Sequence, residues 1–97
     1  MIVHYDPQVG LTLLEPDDFR NFKVQLAQGA TQQPEVDGLR FVDDGNALVG
    51  IDAVPSLPGA PSTEAWREGY AKMLAAAAKY GWIDDEANAI KAHVERN

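Results

Sequence analysis

The chain has 97 residues, 45% of them apolar and 24% charged, with a formal net charge of −7 and no cysteine. That length bounds it to one folding unit with one core, and the composition is that of a globular chain rather than a disordered one. Without cysteine there are no disulfides, thiolate zinc sites or cysteine nucleophile, and the acid excess argues against binding phosphate backbones or anionic membranes.

Residues 1–5 are apolar and β-branched enough for a short strand, closed by Asp6-Pro7 as a turn. A second extended piece over residues 9–14 is suggested by Leu11 and Leu13 alternating with Gly10 and Thr12, a pattern that Leu14 interrupts. Glu15-Pro16-Asp17-Asp18 reads as a helix start, because Pro fits the first helical position and the acids lie on the positive end of the dipole. The predicted helix runs to about residue 28, with Phe19, Phe22 and Leu26 on one face and Gly29 as its stop.

Residues 32–35 are polar, hold Pro34 and read as a surface connection. A hairpin follows, with strands over 39–42 and 47–54 around Asp43-Asp44-Gly45-Asn46. Leu39 and Phe41 share one face of its first strand, and Val49, Ile51 and Ala53 share one face of its second. Three prolines between residues 55 and 61 make a stiff crossing loop. Ser62 is the expected N-cap of a helix reaching about residue 80, whose apolar stripe is Trp66, Tyr70, Met73, Leu74 and Ala77. Gly81 stops it, and Asp84 is expected to cap a last helix with Ala87, Ile90 and Val94 on its inner face.

The expected fold is therefore α+β: a small antiparallel sheet centred on the 39–54 hairpin and packed against three helices, in the order β, a second short β, α, β, β, α, α. A chain this small buries only about 60 to 65% of the surface its unfolded form exposes, so a homodimer is the expected supplement. The N-terminus lacks a basic start and a long apolar run, and a cytoplasmic protein is expected.

Candidate chemistry is sparse. His4, Tyr5 and Asp6 put an acid-base group beside a phenol and a carboxylate, but neighbours on a strand point to opposite faces. His93 reads as a surface residue near a helix end. Asp43-Asp44-Gly45-Asn46 lacks the spacing and the final glutamate of a calcium loop and reads as a turn, while Asp17-Asp18 reads as a helix start. No phosphate loop, dinucleotide fingerprint, nucleophile elbow or zinc spacing is present, and no cofactor or metal is expected.

Two features point to contact. Trp66, Tyr70, Tyr80 and Trp82 cluster near one end of the chain, and aromatics serve cores, interface hot spots and ligand pockets alike. Residues 1–61 hold nine acids against three bases, which makes Asp17, Asp18, Asp43 and Asp44 candidate contacts to a basic partner. The functional expectation is a small acidic, non-catalytic protein-interaction module, an accessory subunit or inhibitor. The alternative is a small-molecule-binding protein or cofactor-free enzyme with an aromatic-lined pocket.

Overall fold

The computed structural model describes residues 1–31 and 33–96, so Gln32 of the predicted 32–35 connection lies outside the described residues. In chain order the elements are strands β1 (Ile2–Asp6), β2 (Gly10–Leu14), β3 (Lys23–Leu26), β4 (Leu39–Asp43) and β5 (Asn46–Gly50), helix α1 (Glu64–Lys79), and strands β6 (Ile83–Asp84) and β7 (Ala89–Arg96). A 3₁₀ turn, Val54–Ser56, opens the proline-rich crossing to α1. Among the described residues no helix is long and apolar enough to cross a membrane.

The strands form one mixed sheet in the order β2-β1-β3-β7-β5-β4, with β6 also paired to β7. β1 pairs antiparallel with β2 and parallel with β3, β3 runs parallel to β7, and β7 is antiparallel to both β5 and β6. This corrects the expected fold: one helix covers a seven-stranded mixed sheet, where three helices on a small hairpin sheet were predicted.

Both missing helices fail for a physical reason. Val24 and Leu26 are buried while Lys23 and Gln25 are half-exposed, a two-residue period that fits a half-covered strand. The acids that resembled a helix start close a turn instead, with the Asp18 carboxylate accepting the Arg20 N–H at 3.2 Å. In β7, Ile90 and Ala92 are buried while Lys91, His93 and Glu95 are exposed, which is again strand alternation. Asp84 does cap, but it caps the β6–β7 turn by accepting the Ala87 N–H at 3.0 Å, and Asn88 supplies a left-handed residue there (φ 50°).

Helix α1 forms as predicted but starts one residue later, with Thr63 as N-cap accepting the Trp66 N–H at 3.2 Å. At its end the Trp82 N–H reaches the Ala77 carbonyl (3.0 Å) and the Gly81 N–H the Ala78 carbonyl (3.1 Å), the double bond of a Schellman stop.

One sheet face packs on α1. Val3, Leu13, Val24, Leu26, Leu39, Val49 and Ile90 meet Trp66, Tyr70, Met73 and Ala77 there in a single apolar cluster. On the other face Arg40, Lys91, His93 and Glu95 are exposed, while Ile2 and Ala89 are buried.

Both outer edges are blunted. On β2 the crossing loop lies along the edge, with the Leu13 N–H bonded to the Pro58 carbonyl (2.8 Å) and Gly59 pressed so close that a Cβ would run into the Leu13 carbonyl. Gly59 is also left-handed (φ 94°), so only glycine fits on both counts. On β4 the register shifts between Phe41 and Asp43, and acids Glu35, Asp37, Asp43 and Asp44 lie on or beside the strand. Bulges and like charges discourage edge-to-edge pairing.

Candidate functional site

Two strands abut the same edge of β7 and leave a seam between them. β6 pairs with Ile90 and Ala89, and the Lys91 N–H donates to the Trp82 carbonyl at 2.7 Å. β3 takes over from Lys23 opposite His93. The seam therefore falls at Ala92. Small side chains at Ala76, Ala77 and Ala92 leave it hollow, and the result is a groove of about 990 Å³. Its apolar floor includes Ile2, Met73, Ala77, Ile90 and Ala92. One wall is loop 15–22 with Phe19 and Phe22, and the other is the corner carrying Tyr80 and Trp82.

That corner is unusual for its exposure. Tyr80 is 72% and Trp82 52% exposed, yet their rings stack with centroids 5.2 Å apart at 27°. The Schellman stop turns the chain sharply from α1 into β6 and so brings the two rings together outside the core.

The charged groups of the groove are partly matched. Glu95 takes Lys23 Nζ on Oε2 at 2.8 Å and His93 Nε2 on Oε1 at 3.3 Å. The Lys23 bond first, and the His93 bond second, hold the Glu95 carboxyl below its ordinary range. On the opposite lip the Asp18 carboxylate is bound by the Asn21 side chain and the Arg20 N–H, which lower its pKa in that order. Among the described residues Arg20 and Lys91 have no ion-pair partner within 4.0 Å.

The residues singled out from sequence separate into two groups. Trp66 and Tyr70 are 3% and 6% exposed and belong to the core. Their polar ends are satisfied there, with Trp66 Nε1–H donating to the Pro16 carbonyl and the Tyr70 hydroxyl to the Ile51 carbonyl, both at 2.8 Å. Burial first, and the Asp52 charge second, push the Tyr70 hydroxyl pKa up. Tyr80 and Trp82 are instead the wall of the groove.

The acid pairs do not join one surface around the groove. Asp17 and Asp18 lie in loop 15–22, which leads into Lys23 opposite His93. The turn holding Asp43 and Asp44 lies towards the C-terminal half of β7, where the Val94 N–H bonds the Gly45 carbonyl (2.9 Å) and Arg96 the Asp44 carbonyl (2.7 Å). The Asp43 carboxylate caps its own turn through the Gly45 N–H and the Asn46 side chain, and these bonds lower its pKa in that order.

Lys91, Ala92, Phe19 and Phe22 were not anticipated as site residues, because only strand register brings them together. The alternation of Lys91, His93 and Glu95 is the signal that could have found the β7 part. Among the described residues no group of three His, Asp or Glu side chains is placed to hold a metal ion. No protein-family model, curated protein or solved structure matches the chain.

Proposed function

We propose that this chain is a small non-catalytic binding module whose contact site is the groove walled by Tyr80 and Trp82. The observation that carries the reading is the stack of two large, exposed aromatic rings beside an apolar floor. Trp and Tyr dominate interface hot spots because they bury much area at little conformational cost, and contiguous apolar surface left in solvent marks contact sites.

A partner polypeptide, or a second copy of the chain, is the occupant this reading favours. A second copy would meet the ledge formed by the stacked Tyr80 and Trp82 rings rather than a sheet edge, since Pro58 and Gly59 cover β2 and the acid-flanked irregularity marks β4. A second reading, a small organic ligand, is supported by the volume of about 990 Å³, at the upper end of the range for small-ligand sites.

The test compares the native chain with a Tyr80→Ala/Trp82→Ala variant by light scattering across concentrations and by affinity capture from the host. Both side chains are more than half exposed, so the variant is expected to fold and to lose both self-association and specifically captured species. A folded variant that keeps every association of the native chain would remove the ledge from consideration.

A further inference from the structure

The charge of the molecule is segregated against its overall sign. Although the chain carries −7, its acids gather at turns and loops. Asp6, Asp43 and Asp84, at strand ends, spend their carboxylates on N–H groups of their own turns. The open face of the sheet, away from α1, is different. Register puts Lys91, Leu48 and Arg40 in one row across β7, β5 and β4, and Lys23, His93 and Asn46 in the next row across β3, β7 and β5. Among the described residues Glu95 is the carboxylate inside this area, already shared by Lys23 and His93, while Asp43, opposite Asn46, and Asp84, opposite Ala89, stand at its ends.

Trp82 borders this strip directly. Continuing the β6–β7 register by one residue sets Trp82 opposite Lys91, as their 2.7 Å backbone bond requires, and residues directly opposite on antiparallel strands share a face. The row spacing puts Lys91 and Arg40 about 10 Å apart, two strand widths. An exposed aromatic ledge thus adjoins a cationic strip on a chain that is otherwise acidic.

On the small-ligand reading of the groove, we infer that this strip binds a small organic anion built on a flat ring. The ring lies against the Trp82–Tyr80 ledge, and the anionic group lies over the sheet between Lys91 and His93, with Arg40 and Lys23 flanking it. The orientation follows from the two lips. Loop 15–22 presents Glu15 and Asp18 beside Arg20, whereas the sheet side presents Lys91 without an ion pair and Lys23 paired to Glu95, with Arg40 farther along the Lys91 row. The acidic remainder of the surface repels the same anion elsewhere and so confines it to the strip.

Three probes with one ring and three charges test this: naphthalene-2-carboxylate, naphthalene-2-carboxamide and 2-naphthylmethylammonium, each titrated into the full chain and followed by amide and indole chemical shifts. The carboxylate is expected to move Trp82, Lys91, Leu48 and His93, the amide to bind at least several-fold more weakly, and the amine to leave these signals unmoved. Raising salt should weaken the carboxylate and spare the amide. Lys91→Gln and Arg40→Gln should each weaken the carboxylate about two- to fivefold, the range of exposed charge pairs, without affecting the amide. Trp82→Ala should weaken both by up to about tenfold, the range of aromatic stacking. Equal affinity for carboxylate and amide at Trp82 overturns the charge assignment and leaves the groove as a binding site. If none of the three probes moves Trp82, this inference falls together with the small-ligand reading on which it rests.

Discussion

The molecule holds two stacked aromatic pairs of nearly the same geometry and opposite fates. Trp66 and Tyr70 lie 5.1 Å apart at 8°, Tyr80 and Trp82 5.2 Å apart at 27°. The first pair is 3% and 6% exposed, the second 72% and 52%. Stacking therefore does not separate core from surface in this chain. The surroundings do. Trp66 and Tyr70 stand one turn apart on the covered face of α1, and each polar end meets a backbone carbonyl across the fold. A buried N–H or hydroxyl without such a partner costs on the order of 1 to 3 kcal/mol, so these bonds are a condition of burial. Tyr80 and Trp82 follow the helix stop, where the chain turns away from the core and nothing covers the rings.

The sharpest way to break this comparison is to delete one ring from each pair. Trp66→Ala should cost about 3 to 5 kcal/mol in denaturant unfolding, as large-to-small changes in a close-packed core do. Trp82→Ala should stay within about 0.5 kcal/mol, the usual range for surface positions. Similar costs for both would mean that the ledge is structural after all.

A subtler intrusion attacks the buried pair from the side. Gly69 faces the Phe19 ring, and a Cβ there would stand 2.5 Å from it, while Phe19 lies 6.4 Å from Trp66. Gly69→Ala should displace Phe19 and cost about 1 to 3 kcal/mol by overpacking, despite the better helix propensity of alanine. Phe19 also walls the groove, so amide shifts around Trp82 should move as well. Shifts confined to the core would show that the two pairs are uncoupled.

Spacing explains why the sequence revealed one helix and misrepresented two others. Residues four apart share a face on a helix and on a strand alike, so Phe22 and Leu26, or Ile90 and Val94, fit both. Only an odd step discriminates. In α1 the step from Tyr70 to Met73 is odd and both residues are buried, which a strand cannot arrange. In the two failed helices the odd step runs from Phe19 to Phe22, both in loop 15–22, and from Ala87 to Ile90, where Ala87 lies in a turn. The strands themselves were readable as Lys-Val-Gln-Leu and Ala-Ile-Lys-Ala-His-Val, but acids at Asp17, Asp18 and Asp84 favoured helix starts. Asp18 and Asp84 do cap N–H groups, in turns rather than helices. The hairpin was legible over residues 39–50 because its turn chemistry is local, whereas residues 51–54, expected to continue its second strand, form a turn and the start of the 3₁₀ turn. The groove was not, since the seam at Ala92 exists only once β3 and β6 meet the same edge of β7.

Removing only the polar end of a buried ring sharpens the comparison further. Tyr70→Phe keeps the stack and loses the 2.8 Å bond to Ile51, for an expected cost of about 1 kcal/mol. Burial raises the Tyr70 pKa above its ordinary value of 10.0, so the neutral hydroxyl is favoured by folding. Its contribution is complete below pH 10 and is lost as pH rises towards the higher folded value. The native chain should therefore lose stability above about pH 10 more steeply than Tyr70→Phe, and equally steep alkaline limbs would assign that loss to other groups.

The smallest effect concerns the loop that serves both pairs. Loop 15–22 gives the Pro16 carbonyl to Trp66 and the Phe19 and Phe22 rings to the groove, and the Asp18 carboxylate ties it together through Asn21 and Arg20. Those bonds lower the Asp18 pKa, so its contribution is present above the unfolded value near 3.8 and fades as pH falls through the lower folded one. Single-tryptophan variants, Trp66→Phe and Trp82→Phe, let fluorescence follow each pair during acidification. Protonation of Asp18 frees the loop from its own turn before the core opens. The Trp82 signal is therefore expected to change at a higher pH than the Trp66 signal, and Asp18→Asn, which has no carboxylate to protonate, should show the freed-loop Trp82 signal already at neutral pH and lose that separate change. Coincident changes in both variants would mean that loop 15–22 moves only with global unfolding, and that one cooperative unit holds the buried and the exposed ring alike.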